Sequence, residues 1–407
     1  GGRGGLSVLL TVQFMGAAND NILKGLLSFS VIRGIWAGRL GDGGQGLIAL
    51  CLFVPFILFS GWAGPLADQQ SKRSIAAAMK IIEVPLAVLA GIGFLIGNLW
   101  LTLASMVLLA TQSTFFGPAK YGMIPELVPS AAVSRANGIL NLATNLAVIV
   151  GMLAAGFVSD HFAPPLVVPL EVQQPWLPGM VLSGVAMAGV AAVVFLPRLR
   201  PQEPTARIPI NPFASYIATL RAMRSTPFLP AAIAWGLFYL LATLSLLIVT
   251  ELGDPLGVSD TAISVLLAAI GVSVGLGSLL SGFLSRGRIR LNISRWGAVL
   301  LAVIFFLSGA LQMKYGWTLA MFCGIGLAAG LYAVPLQSYI QVLPPSSIRG
   351  RVLATSGAIS FGFMALGSLG YWLVRPGFGD HPRGIFMICG VIAILAYATC
   401  YALPRDR

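Results

Sequence analysis

The sequence predicts an all-α membrane protein of twelve transmembrane helices, built as two six-helix pseudo-repeat halves. Three observations lead there: the composition, the spacing of apolar windows, and residues that recur at a near-constant offset. The 407 residues are 57% hydrophobic and 9% charged, with a mean hydropathy of +0.89. A single water-facing globule of this length cannot hide that much apolar surface, so lipid must be part of the solvent. A bilayer core of roughly 30 Å takes about 20 apolar residues per helical crossing, and twelve crossings with short loops consume most of the chain.

The windows fall near 7–32, 46–66, 74–96, 99–121, 133–158 and 177–196, and again near 228–250, 261–285, 293–313, 317–341, 352–374 and 384–403. The first run continues past Lys24 at full spanning length, so no cleavable signal peptide is expected. Three segments follow from this pattern: an N-terminal half over 1–196, a cytoplasmic linker over 197–227 and a C-terminal half over 228–407. Within the linker Phe213, Tyr216, Ile217 and Leu220 recur at helical spacing among arginines. The spacing predicts a short amphipathic helix, lying either on anionic headgroups or as a solvated connector.

Charge sets the orientation. With both termini inside, the inner segments carry 17 of the 25 basic residues, the outer segments 5 and the spans 3. Of the 13 acids, 7 lie outside, including Glu251, Asp254 and Asp260, 4 inside, and only Asp20 and Glu83 in spans. The bias predicts cytoplasmic termini. The net charge of +12 is thereby a matter of topology, and no basic, aromatic-interleaved soluble face is offered to nucleic acid.

The halves repeat each other. Pro118 recurs as Pro335 at an offset of 217, Gly64 as Gly282 at 218 and Arg135 as Arg351 at 216. Duplicated halves with a site near their interface are a common basis for alternating access in secondary transporters. The loop after the second window reads Gly64-Pro-Leu-Ala-Asp68-Gln-Gln-Ser-Lys72-Arg73 and resembles the loop signature of the major facilitator superfamily, with Ser71 where glycine is usual. The second-half copy, Gly282-Phe-Leu-Ser-Arg286, lacks the acid. The resemblance implies the major facilitator fold and a conformational latch at Gly64, Asp68, Arg73, Arg135 and Arg351, in which Asp68 interacts with a helix N-terminus.

Three further stretches narrow the resemblance: Asn19-Asp20-Asn21, Phe116-Gly-Pro-Ala-Lys120-Tyr121-Gly122, and Arg135-Ala-Asn137-Gly138. Together they are similar to the bacterial lysophospholipid transporter family. That similarity implies a secondary transporter in the bacterial inner membrane, moving lysophospholipid such as lysophosphatidylethanolamine from outer to inner leaflet. It also implies a coupling ion, proton or sodium, if transport is coupled, a separate acyltransferase as downstream partner, and a monomer among membrane lipids.

Ionisable side chains inside spans are expensive and therefore functional candidates. The candidate substrate-binding set is Asn19, Asp20, Asn21, Lys24, Lys80, Glu83, Lys120 and Tyr121. Asp20 and Lys24 are four apart and Lys80 and Glu83 three apart, so each couple shares a helix face. Such couples either compensate each other inside the bundle or line a cavity for a zwitterionic headgroup, carboxylates towards ammonium and lysines towards phosphate. Lys120, near Pro118, either reaches that phosphate or snorkels to the interface. The second half offers weak polar groups such as Tyr239, Thr243, Ser245, Gln337 and Gln341, and its greasy wall, with Trp235, Phe238 and Tyr239, suits an acyl chain.

Enzymatic readings fit poorly. Neither His161 nor His381 begins an H-x-x-x-x-D acyltransferase motif, and no P-loop is present to hydrolyse ATP. Cys51, Cys323, Cys389 and Cys400 lie singly without C-x-x-C spacing, so no metal or cofactor is implied. The alternative function is a proton-coupled drug or metabolite antiporter. Against it, Met152 in Gly151-Met152-Leu-Ala-Ala155-Gly156 stands where many antiporters carry proline. A scramblase with no coupled ion is a third class.

Overall fold

A computed structural model describes residues 2–36, 38–129, 133–163, 172–197, 199, 211–285, 288–311, 314–379 and 381–404. Fourteen helices and no strand occur among the described residues. In chain order they are α1 (Gly2–Ile32), α2 (Gly44–Gln69), α3 (Lys72–Leu95), α4 (Leu99–Leu127), α5 (Val133–Phe162), α6 (Leu177–Val193), α7 (Ala214–Met223), α8 (Phe228–Thr250), α9 (Gly253–Leu256), α10 (Asp260–Ser285), α11 (Leu291–Ala310), α12 (Tyr315–Val342), α13 (Ser346–Val374) and α14 (Ile385–Tyr401). Among the described residues ten stretches are long and apolar enough to cross a membrane. The 31-residue α1 and the 17-residue apolar α6 stand at the other two expected crossings. The two remaining helices are the linker helix α7 and the four-residue α9.

Large apolar side chains face outward as only lipid would reward. Leu279, Phe283, Trp296, Trp317 and Leu373 are all well exposed on spanning helices. Between helices the contacts run through small residues, the usual means of close approach in a bilayer. A Cβ added to Gly91 of α3 would lie 2.5 Å from the Cα of Gly179 in α6, and one on Gly151 of α5 would lie 2.7 Å from the Ala18 carbonyl of α1. Local signals set the helix ends as well. Asn98 caps α4 by accepting from the Leu101 amide at 3.1 Å, while Gly97 takes the left-handed turn just before it at φ 65°.

The chain forms two compact units. The first comprises Gly1–Arg39, Cys51–Pro212 and Ser259–Ser264; the second comprises Leu40–Leu50, Phe213–Val258 and Val265–Arg407. In the first, α1 packs on α4, α5 and α6, and α3 on α4 and α6. In the second, α8 packs on α12, α13 and α14, and α11 on α12 and α14. The pairing scheme is the same with α8 in the place of α1 and α11 in that of α3. The prolines used for the offset also recur in place, Pro118 inside α4 and Pro335 inside α12.

One expectation is corrected. Gly64 to Asp68 do not form a loop: α2 runs on through Pro65 to Gln69, and α3 begins at Lys72. The linker helix α7 buries Thr219 and Met223, packs on α13, and leaves Phe213 and Ile217 exposed. Its amphipathic stripe is thus only partly spent on the protein.

Candidate functional site

The buried charges of the first unit converge from α1, α3 and α4. Lys80 and Glu83, both on α3 and both 1% exposed, pair at 2.5 Å across one helical turn. Asn19 of α1, fully buried, donates its Nδ2 to Glu83 Oε1 at 3.0 Å, so the carboxylate is held on both oxygens. The position of Lys80 depends on glycine. A side chain on Gly16 of α1 would run into its Nζ, and one on Gly189 of α6 would lie 3.3 Å from its Cδ. The stem therefore lies between two helices that carry no Cβ at the contact.

Asp20 and Lys24 do not pair. Among the described residues no hydrogen bond or ion pair joins them; Asp20 Oδ2 instead accepts from Ser113 Oγ of α4 at 2.7 Å. Although the two positions share a face, Asp20 is drawn to α4, where it comes within electrostatic reach of Lys80, Lys120 and Glu83. Asn21 turns its amide back to the Ala17 carbonyl of its own helix at 2.8 Å.

Phe116 organises the two lysines. The Lys80 ammonium lies 5.6 Å from its ring centroid and the Lys120 ammonium 6.0 Å, with Lys120 also 5.2 Å from the ring of Tyr121. The two cations are not equivalent: Lys80 has Glu83, whereas Lys120 has aromatic faces and no ion pair among the described residues. Nearby, Oδ1 of Asn19 is buried and accepts no hydrogen bond among the described residues. A half-buried cation with no ion pair and a buried, unspent acceptor in one cluster are complementary to a ligand that brings an anion and a donor. Ser113, Gly16 and Gly189 were not singled out by sequence, and Phe116 entered only as the first residue of a motif, because nothing in their own spacing reveals the helices they meet.

The residues expected to form a latch are scattered. The side chains of Asp68 and Arg135 lie outside the described residues, as do those of Asn137 and Arg286. Gly64 has open space where a Cβ would stand, and Arg351 is exposed on α13. Arg73 donates from Nη2 to the Val194 carbonyl at 3.3 Å, and its neighbour Ser71 donates to the Leu199 carbonyl at 2.7 Å. Lys72, read as a loop cation, is 1% exposed and pairs with Glu126 of α4 at 2.6 Å. Gly122 accommodates its stem: a Cβ there would lie 2.9 Å from Lys72 Cδ. On α8, Tyr239 stacks edge-on with Trp235 and Phe238 at centroid distances of 5.4 and 5.0 Å.

These geometries can be set beside known proteins. The family model described as Major Facilitator Superfamily matches residues 9–358. The chain belongs to the major facilitator superfamily. As a member it is a multi-pass membrane transporter and not an enzyme. It is 25% identical over 350 residues to the lysophospholipid transporter LplT of Serratia proteamaculans (strain 568), covering 84% of this chain and 80% of that protein. It is 26% identical over 348 residues to the lysophospholipid transporter LplT of Salmonella schwarzengrund (strain CVM19633), covering 83% and 80%. Among solved structures, a POT family transporter in complex with a thioalcohol-conjugated peptide superposes with a TM-score of 0.77 at 13% identity, covering 98% of this chain and 95% of that one. That likeness carries the fold.

Proposed function

We propose that this transporter carries lysophospholipid, with the headgroup read by the buried cluster of the first unit, from the outer to the inner leaflet of a bacterial inner membrane. The observation that carries the reading is the unequal neutralisation of two lysines around Phe116. The Lys80 charge is balanced by Glu83, while Lys24 and Lys120 have no ion pair among the described residues, and Lys120, beside the same Phe116 ring as Lys80, is the cation assigned to a phosphodiester. The Asp20 carboxylate and Asn19 Oδ1 are the acceptors left for an ammonium. A zwitterionic ethanolamine headgroup satisfies both, and the names borne by the relatives point the same way. A neutral sugar would leave the Lys120 charge unmatched, at the cost that burial imposes on any lone ion.

Membrane orientation belongs to the same proposal, with the termini and the linker on the cytoplasmic side, where the basic residues gather. The segments 1–196, 197–227 and 228–407 are taken as functional halves and linker. Lysophospholipid counterflow in proteoliposomes tests the reading. Labelled lysophosphatidylethanolamine should exchange against unlabelled lysolipid and not against a cationic dye. Dye exchange driven by a proton gradient, with no lysolipid exchange, would replace this reading with the antiporter.

A further inference from the structure

Lys24 stands outside the buried cluster of the first unit. Lys80 has Glu83, Asp20 has Ser113, and Lys120 has the rings of Phe116 and Tyr121. Among the described residues Lys24 has no hydrogen bond, ion pair or aromatic face, and nothing offsets the burial of its charge. A lone cation inside a span costs stability and marks a functional position by default.

The packing of α1 leaves the Lys24 stripe free. Ala18 and Gly25, seven residues apart, face α5: a Cβ on Gly25 would lie 2.5 Å from that of Ala155, and one on Gly151 would lie 2.7 Å from the Ala18 carbonyl. Ala17, Asp20 and Lys24 recur at i, i+3 and i+7 on the neighbouring stripe and are all partly exposed. Lys24 therefore extends the stripe that carries Asp20.

The Asp20 contact fixes how Lys24 stands to Lys120. Gly5, near the start of α1, meets Leu127 at the end of α4, where an added Cβ would lie 2.9 Å from the leucine Cδ2, while Asp20 meets Ser113. The two helices thus run antiparallel. From the level of the Asp20 and Ser113 contact, the Lys24 backbone lies about 6 Å on towards the end of α1, and the Lys120 backbone about 10 Å in the opposite direction. Ser113, Gly117 and Lys120 share one face of α4, and a Cβ on Gly117 would meet nothing within 4 Å, so the way between them is open. The order along this face of the unit is cation, carboxylate, cation.

We infer that Lys24 is a second phosphodiester station, filled before Lys120: the phosphate of an entering lysolipid is met first at Lys24, then passes to Lys120 as the ammonium settles on Asp20. The inference rests on the lysophospholipid reading and on its orientation, which puts the end of α1 on the outer side. Lys24 answers to the phosphate that every lysophospholipid carries, and Asp20 to the ammonium that only some carry. A cation kept bare for a passing anion is a standing cost to the fold, so its removal should stabilise the protein while slowing transport.

Sided uptake tests this order. Labelled lysophosphatidylethanolamine and lysophosphatidylglycerol are presented to right-side-out and to inside-out membrane vesicles holding the full native chain, Lys24→Met or Lys24→Arg. Lys24→Met should raise the half-saturating concentration severalfold in right-side-out vesicles, equally for both headgroups, and leave it near native in inside-out vesicles. Lys24→Arg should keep most of the native behaviour. In detergent without lysolipid, the unfolding midpoint of Lys24→Met should rise above that of the native chain. Excess inorganic phosphate should not compete with lysolipid; inhibition of the native chain that Lys24→Met relieves would make Lys24 a free-anion site and overturn the inference. It is overturned equally by native kinetics in Lys24→Met, by an equal change in both vesicle orientations, by a loss confined to the ethanolamine headgroup, or by a lowered midpoint. In each of these cases lysolipid uptake by the native chain leaves the functional reading standing, whereas a native chain that moves no lysolipid ends both.

Discussion

The two units share a helix-pairing scheme but not a chemistry. At an offset of 217 residues, Lys80 corresponds to Gly297, Glu83 to Leu300, Asp20 to Leu237 and Lys120 to Gln337. Where the first unit buries an ammonium between glycines of α1 and α6, the second has a glycine that brings α11 against the backbone of α12: a Cβ on Gly297 would lie 2.6 Å from the Tyr332 amide. The helical scaffold is therefore indifferent to the charges it carries. Under the proposed function, what the first unit gains from them is recognition, at the expense of burying the Lys80 and Glu83 pair and partly burying Asp20 and Lys120.

The sharpest way to break this comparison is to unbalance the buried pair. Lys80→Met or Glu83→Leu alone leaves an uncompensated charge and should cost about 3–5 kcal/mol of stability, read as a fall in the thermal unfolding midpoint in detergent. The double variant Lys80→Met/Glu83→Leu, which makes the first unit resemble the second, should regain most of that stability and lose lysolipid uptake. A double variant as unstable as either single one would mean that the charges hold the fold together. Next in size, Lys72→Met strands Glu126, whose side chain is 17% exposed and can find water. Its cost should be smaller, about 1.5–3 kcal/mol, by the same measurement.

Gly16→Val sharpens the comparison from the packing side. Ile233 stands at the corresponding position of the second unit, so the helix tolerates the residue. In the first unit the new side chain meets the Lys80 ammonium and should cost about 1–3 kcal/mol. Combined with Lys80→Met/Glu83→Leu, most of that cost should disappear. The smallest structural effect is expected of Lys120→Gln, which installs the second unit's residue. Loss of its aromatic contacts should cost no more than about 1 kcal/mol, while uptake of lysophospholipid should fall severalfold. A large stability loss without a change in uptake would reassign Lys120 to packing.

Much of the scaffold was legible in the sequence, because each crossing is a local property of about 20 residues. All twelve windows contain an observed helix, and the linker helix appears where Phe213, Tyr216, Ile217 and Leu220 repeat. The Lys80 and Glu83 pair was legible for the same reason, since both partners lie on one turn. Contacts between helices were not. The same local rule that found Lys80 and Glu83 also joined Asp20 to Lys24, but Ser113, 93 residues away, takes that carboxylate. Lys72 looked like a loop cation because sequence cannot show that α4 brings Glu126 over it. Arg33, Asp160, Glu251 and Arg375 were counted only as topological charge, because sequence cannot show that Arg33 meets Asp160 or that Arg375 meets Glu251.

Within the proposed function the ammonium of the headgroup is assigned to Asp20, so the decisive measurement is headgroup preference with that charge removed. Counterflow of labelled lysophosphatidylethanolamine and lysophosphatidylglycerol should be compared in proteoliposomes of the native chain and of Asp20→Asn, with purity and unfolding midpoint matched. The native protein should favour the ethanolamine headgroup, and Asp20→Asn should lose that preference together with most of its ethanolamine lysolipid uptake. Native uptake and native preference in Asp20→Asn would contradict the account, leaving this carboxylate as a packing partner of Ser113.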